Sequence, residues 1–91
     1  MATHIMFALS DTTATLINPP NSAAGRDITI QNIGTGYVYL GSTDQTSSTD
    51  FGFRLNPNAA WSVEFNGEDE IYAIAQNNGD QIALFSLRLE N

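Results

Sequence analysis

Residues that favour tight turns recur along this chain at intervals of about ten residues, a spacing typical of sandwiches and barrels of short β-strands. They are Gly, Pro, Asn and Asp, as in residues 34–36, 56–58 and 77–80. Between them apolar and polar residues alternate, and no 3.6-residue apolar period extends far enough for a substantial helix. The predicted fold class is therefore all-β: a compact antiparallel β-sandwich or jelly-roll-like domain of roughly seven or eight short strands.

The predicted strands are, in chain order, residues 4–9, 13–17, 27–33, 37–40, 51–55, 60–65, 70–76 and 81–90. Strands 27–33 and 37–40 flank Gly34-Thr35-Gly36, where glycine permits a tight turn, so we predict that they form a β-hairpin. Asn66-Gly67 predicts a second hairpin turn, of type I′.

Two stretches are predicted as loops. Residues 42–50 are all polar and are expected to be exposed. Residues 18–25 contain Pro19 and Pro20, which cannot donate to a ladder, and are predicted to cross from one part of the fold to another.

The length of the chain, 91 residues, allows one modest core and hence a single domain. Within it we distinguish residues 1–25, an N-terminal strand or arm segment suited to attachment or oligomer contacts, from residues 26–91, the body of the sandwich. Cysteine is absent, so packing must stabilise the fold, and assembly is an expected supplement.

The charge balance excludes several classes of partner. The chain has no lysine, and its cations are Arg26, Arg54 and Arg88 against 10 carboxylates, for a formal net charge of −7. Such a surface repels phosphate, so we expect no nucleic-acid partner and no binding to anionic membranes. The N-terminus does not resemble a secretory signal, and no apolar run approaches the roughly 20 residues that span a bilayer. We expect a soluble protein.

Catalytic signatures are missing from the sequence. The sole histidine is His4, there is no cysteine, and no Gly-x-Ser-x-Gly elbow occurs. Glu64, Glu68, Asp69 and Glu70 form the one dense carboxylate cluster, which we interpret as solvated turn residues. Their spacing, like that of Asp44 and Asp50, matches no calcium-binding repeat. We therefore predict no enzyme, no cofactor and no metal site.

The aromatic residues allow two interpretations. Trp61 could stack on a sugar, but it shares a face with Val63 and Phe65, which favours a core position. Tyr37 and Tyr39 lie opposite the apolar face of their strand and are expected to be accessible, as suits a protein interface. Arg54 lies among aromatic residues and could anchor an acidic partner or neutralise a neighbouring carboxylate.

The last two strands are apolar on both faces. Ile71, Ala73 and Ala75 oppose Tyr72 and Ile74, and in the final strand Ile82 and Leu84 oppose Ala83, Phe85, Leu87 and Leu89. Because a sandwich strand needs only one buried face, something must cover the second. Two explanations stay open: the segment 5–7 folds across it, or it is a subunit interface.

An ordered series of strand and turn motifs carries a resemblance to a known family. The motifs are Ile28-Thr29-Ile30-Gln31-Asn32-Ile33-Gly34, Val38-Tyr39-Leu40-Gly41, Phe51-Gly52-Phe53-Arg54-Leu55-Asn56-Pro57 and Ile71-Tyr72-Ala73-Ile74-Ala75. This series, within residues 26–89, resembles small β-rich structural proteins of tailed bacteriophages, including those that decorate the capsid exterior. Asn58 stands where the family pattern often has glycine, and asparagine also tolerates positive φ.

The resemblance implies a module made in the host cytoplasm and added to the outside of a preformed capsid. It would bind the major capsid protein, commonly as a homotrimer, and reinforce contacts between neighbouring subunits. We predict that the N-terminal segment and one sandwich edge make the contacts. The candidate contact residues are His4, Ile5, Met6, Phe7, Leu9, Tyr37, Tyr39, Arg54, Tyr72 and Ile74. The alternatives are a carbohydrate-binding module and a tail or fibre subunit.

Overall fold

The structure is a computed structural model that describes residues 2–17, 26–65 and 70–88. These residues form eight β-strands and no helix, which confirms the all-β prediction. The strands are β1 (Ala2–Ala8), β2 (Thr15–Leu16), β3 (Arg26–Asn32), β4 (Val38–Gly41), β5 (Phe53–Leu55), β6 (Ala60–Phe65), β7 (Tyr72–Ala75) and β8 (Gln81–Arg88).

The strands form two four-stranded sheets. Sheet I has the order β1-β8-β3-β6 and sheet II the order β2-β7-β4-β5, with every pairing antiparallel. The pairs β4·β5, β3·β6, β2·β7 and β1·β8 are nested around the middle of the chain, as in one long hairpin rolled into two layers. This double-sheet, eight-stranded arrangement is the jelly roll, which confirms the predicted architecture.

The predicted hairpin between residues 27–33 and 37–40 is wrong, because β3 lies in sheet I and β4 in sheet II. Polar side chains, not ladder bonds, hold the connection between them. The buried Asn32 amide donates to the carbonyls of Gly36 (2.8 Å) and Leu55 (3.0 Å), and its oxygen accepts from the N–H of Gly34 (2.9 Å). The chain therefore turns a corner from one layer to the other.

Asp80 holds the other side of the same corner. Its Oδ2 accepts the backbone N–H groups of Thr35 and Gly36, each at 3.1 Å. A Cβ at position 34 would lie 2.6 Å from the Asp80 side chain, so only glycine leaves room for this carboxylate. The second predicted hairpin is wrong for the same reason, since β6 and β7 also lie in different sheets; the Asn66-Gly67 turn itself is outside the described residues, as is the predicted loop 18–25.

The core lies between the two sheets and is built from alternate residues of the strands, as the sequence pattern predicts. Its fully or nearly fully buried members are Leu9, Ile17, Ile28, Ile30, Val38, Leu40, Leu55, Ala73, Ala75, Ile82 and Leu84. Each large aliphatic side chain buried in this way contributes about 1.5–3 kcal/mol of transfer free energy.

The N-terminal segment extends sheet I. Strand β1 pairs with β8 along its whole length, so Ile5 and Phe7 lie opposite the buried residues Leu84 and Ile82. The explanation that residues 5–7 fold across the second face of the last strand is therefore wrong. Leu9, directly after β1, is 2% exposed in the core. Residues 2–17 are thus an integral part of both sheets.

Candidate protein-binding surface and cavity

The outer face of sheet I carries a strip of apolar side chains along its β1–β8 half. We call Met6, Ala8, Ala83, Phe85 and Leu87 the apolar strip. Met6 lies opposite Ala83 in the ladder, and Phe85 lies opposite His4. Met6, Phe85 and Leu87 are 52%, 46% and 43% exposed. No other part of the described chain covers these three side chains, although each could be buried by a partner.

The other half of this face, on β3 and β6, is polar. Thr29 and Ser62 share a hydrogen bond of 2.8 Å across the two strands. Asp27 lies between Leu87 and Glu64 in the ladder, so two carboxylate residues border the apolar strip. A shallow cavity of about 400 Å³ is lined by these residues, Asp27, Thr29, Ser62, Glu64 and Leu87, together with Ile28 and Val63. A cationic side chain of a partner would find its counter-charge there.

The centre of the outer face of sheet II is covered by the chain itself. Tyr39 and Ile74 lie opposite each other on this face, yet they are only 9% and 5% exposed. The ring of Phe51 packs on Tyr39 with 4.9 Å between centroids, and the Arg54 guanidinium lies 4.5 Å above the ring of Tyr37. The expectation of accessible tyrosines is therefore wrong for Tyr39, and Tyr37 is half-buried.

The structure separates the ten residues predicted from sequence to make contacts. His4, Met6 and Arg54 are exposed, whereas Leu9, Tyr39 and Ile74 are buried within the monomer and do not offer their side chains to a partner. The remaining four, Ile5, Phe7, Tyr37 and Tyr72, are half-buried.

Only His4 and Met6 of the predicted contact set lie on the outer face of sheet I. The set omits Phe85 and Leu87, the most exposed apolar residues of β8. Their alternation with Leu84 and Ser86, which are buried, is the sequence signal that identifies them.

A second recess opens between the edge strands of the two sheets, and Trp61 contributes to it. Trp61 packs against the core, as predicted, but β6 is an edge strand and the indole remains half-buried. Its ring lies 5.3 Å from that of Phe53 on β5, the edge strand of sheet II. The recess has a volume of about 420 Å³. It is lined by Leu40, Gly41, Ser42, Thr43, Thr46, Asp50, Phe51, Gly52, Phe53, Trp61, Glu70 and Ile71.

The lining of this recess carries an acidic group, Glu70, that acts on a neighbouring phenol. Burial raises the pKa of Tyr72 above its usual value of 10.0, and the charges of Glu70 and Asp44 and hydrogen bonding to Glu70 raise the pKa further.

The described residues contain no cluster of three or more His, Asp or Glu side chains that could hold a metal ion. Glu68 and Asp69 of the predicted acidic cluster lie outside the described ranges. His4 is exposed on an outer sheet face. Within the same ranges, no helix is long and apolar enough to span a bilayer.

Comparison with known proteins identifies a neighbour in fold and no family. No protein-family model matches the sequence, and no curated protein matches it significantly. A solved structure of a Bacillus endospore appendage protein, from a family described as disulfide-linked pili, is similar with a TM-score of 0.55. The similarity covers 99% of this chain and 87% of that chain at 13% sequence identity. At this identity the likeness supports the fold.

Proposed function

We propose that this protein is a non-enzymatic structural subunit that binds other protein subunits through the outer face of sheet I. The apolar strip is the observation that carries the proposal, because Met6, Phe85 and Leu87 remain about half exposed together on one face of one sheet. Aromatic and methionine side chains of this kind are enriched at protein interfaces. The single histidine and the absence of cysteine agree with a role that needs no active site.

The particular assembly that we propose is a tailed-phage capsid. The chain would decorate the capsid exterior as a homotrimer and reinforce contacts between copies of the major capsid protein. The resemblance of residues 26–89 to phage decoration proteins supports this proposal, and the jelly-roll fold is compatible with it. Asp27 and Glu64, which border the strip, would face basic side chains on the capsid surface.

The pilus neighbour supports the more general proposal, an assembling structural subunit, because it is described as a protein of spore appendages. Those pili are described as disulfide-linked, whereas the present chain contains no cysteine. A filament of this chain would therefore need non-covalent contacts, for which the apolar strip is again the available surface. Because such contacts could build a filament, a subunit of a phage tail or fibre is the second candidate function.

The test is co-sedimentation of the purified protein with mature capsids of its own phage that lack it. We expect saturable binding that weakens as the salt concentration rises, because the carboxylates bordering the strip contribute. Sedimentation velocity of the free protein reports the oligomer, expected at three times the 9.9 kDa chain mass. Failure to bind capsids, combined with concentration-dependent growth into filaments, would replace decoration by the pilus-like or tail role.

A matched pair of variants tests the surface itself. Leu87 on the outer face of sheet I and Leu16 beside Tyr72 on sheet II are 43% and 44% exposed. Leu87→Ser should weaken capsid binding about tenfold, which corresponds to about 1.4 kcal/mol, and Leu16→Ser should change it less than about twofold. Equal effects of the two substitutions would refute the assignment of the interface to sheet I.

Point variants are preferable to truncation. Removal of residues 1–10 would delete the edge strand β1 and the core residue Leu9, so a loss of binding would report a loss of folding.

A further inference from the structure

The recess beside Trp61 combines aromatic side chains with carboxylate and hydroxyl groups. Phe51 and Phe53 are 41% and 42% exposed, and with Trp61 they place three aromatic side chains in the lining of the recess. Asp50 and Glu70 are exposed carboxylate residues on the same recess, and Ser42 and Thr43 add hydroxyl groups. Its volume of about 420 Å³ falls in the range of small-molecule sites.

The loop that forms one wall of the recess is held in place by its own hydrogen bonds. The Thr46 hydroxyl donates to the carbonyl of Thr43 at 2.7 Å, and its N–H donates to the same carbonyl at 3.2 Å. Ser47 and Asp50 exchange backbone hydrogen bonds of 2.9 and 3.3 Å, and the Ser47 hydroxyl accepts from the Asp50 N–H. Asp50 therefore sits on a small closed turn, so little order is lost when a ligand binds.

Glu70 adds a second carboxylate to the lining of the recess, and it lies close enough to the Tyr72 phenol to raise the pKa of that phenol. The recess therefore offers two acceptor residues, Asp50 and Glu70, beside three aromatic residues.

We propose that this recess binds a saccharide of one or two pyranose units. A pyranose ring has an apolar face of C–H groups and a rim of hydroxyl donors. The aromatic rings of Phe51, Phe53 and Trp61 match the apolar face, and the carboxylates of Asp50 and Glu70 match the hydroxyl rim. A lone lysine or arginine side chain of a partner would pair with the carboxylates but would fill only part of the volume.

The proposal differs from the sequence interpretation of Trp61, which weighed a core position against a sugar site as exclusive alternatives. Trp61 points inward and packs on the core, and it reaches the recess because both β5 and β6 are edge strands. The saccharide site lies apart from the apolar strip and does not depend on the proposed assembly.

Fluorescence of Trp61 tests the proposal directly, because it is the chain's single tryptophan. The probes are glucose, galactose, mannose and N-acetylglucosamine and their β-1,4-linked disaccharides, titrated into the free protein. L-Lysine amide and L-arginine amide represent the cationic alternative. We expect a saturable change in emission for at least one sugar, with a dissociation constant of about 1–10 mM. No saturation by any sugar up to about 50 mM, or saturation by the cationic amides alone, would overturn the proposal.

Two variants and a control show whether the response comes from this recess. Asp50→Asn keeps the shape and removes a charged acceptor, and Phe51→Ala removes one ring; each should weaken binding about tenfold. Phe85→Ala, a change of the same type at a similarly exposed site on sheet I, should leave the affinity unchanged. Unfolding midpoints confirm that each variant folds, and wild-type affinity in both recess variants would refute the site.

Discussion

On the outer face of sheet II, Tyr39 and Ile74 are 9% and 5% exposed, whereas on the outer face of sheet I Met6 and Phe85 remain 52% and 46% exposed. Both faces carry apolar residues at alternate strand positions. They differ in what the chain places over them, since Phe51 packs on Tyr39 and Arg54 lies over Tyr37 on sheet II alone. The centre of one face is covered from within the monomer, whereas the apolar strip on the other face remains exposed.

Strands that are apolar on both faces occur in both sheets of this molecule, and the second apolar face has a different explanation in each. Segments that flank β4 and β5 supply Tyr37 and Phe51, so the second face of sheet II becomes a small core of its own. The β1–β8 half of sheet I is flanked by no such described segment, and its second face remains a surface. Monomer stability should therefore depend on the first face, and association on the second.

The largest expected effect comes from shortening a side chain on the covered face. Ile74→Ala should lower the free energy of unfolding by about 2–4 kcal/mol, because it leaves a cavity in a buried cluster. Phe85→Ala on sheet I should lower it by less than about 1 kcal/mol, because the ring is already half in water. Urea unfolding followed by circular dichroism measures both values.

Should Ile74→Ala fail to fold, Ile74→Val provides the same test at an expected loss of about 1 kcal/mol. A larger loss for Phe85→Ala than for Ile74→Ala would contradict the comparison, because it would mean that the strip supports the monomer.

Much of the fold could be predicted from the sequence because alternation is a local property. The phases of Ile28 and Ile30, and of Val38 and Leu40, place the same side chains in the core as the structure does. The bounds of β6 agree with those predicted, and a jelly-roll-like sandwich follows from many short strands at even spacing.

Strand pairing could not be predicted in this way. Gly34-Thr35-Gly36 has the residues of a hairpin turn, but its conformation is set by Asn32 and by Asp80, which lies 44 residues beyond Gly36. Turn propensity does not register a carboxylate so distant in sequence, so it predicts a hairpin where the structure has a corner between the two sheets.

The candidate sites were predicted only in part. The alternation of apolar and polar residues shows on which face of the sheet a side chain lies, but not whether another segment of the chain covers it. The pattern predicts that His4, Met6, Tyr39 and Ile74 are all accessible, and the structure exposes the first two and buries the last two. Asn58 is a case where residue chemistry sufficed, since it adopts the positive φ, 66°, that asparagine tolerates.

A smaller effect should come from the cation–π contact that closes part of sheet II. The Arg54 guanidinium lies 4.5 Å from the centre of the Tyr37 ring, and Arg54 is exposed. A double-mutant cycle of Arg54→Met and Tyr37→Leu should give a coupling free energy of about 0.5–1 kcal/mol. The same cycle with Arg54 and Phe85, which lies on the other sheet, should give none within error. Equal couplings in the two cycles would show that the arrangement over Tyr37 does not stabilise the fold.

The smallest effect should be a change in the pKa of Tyr72, the phenol at the margin of sheet II. Burial, the charges of Glu70 and Asp44, and the hydrogen bond to Glu70 all favour the neutral phenol, so its pKa lies above 10.0. The stability gained from neutral Tyr72 is therefore complete below pH 10.0 and is lost as the pH rises through the folded-state pKa. Glu70→Gln removes one charge and should lower the pKa towards 10.0.

Absorbance at 295 nm, with the Tyr72→Phe titration subtracted, isolates this phenol from the other two tyrosines. Asp50→Asn is the matched control, because it removes the same charge from the same recess without being a cause of the shift. A pKa that falls equally in Glu70→Gln and Asp50→Asn would mean that the net charge of −7, and not contact with Glu70, governs Tyr72. A fall in Glu70→Gln alone would show that the Glu70 carboxylate acts on the Tyr72 phenol at close range, at the margin of the recess.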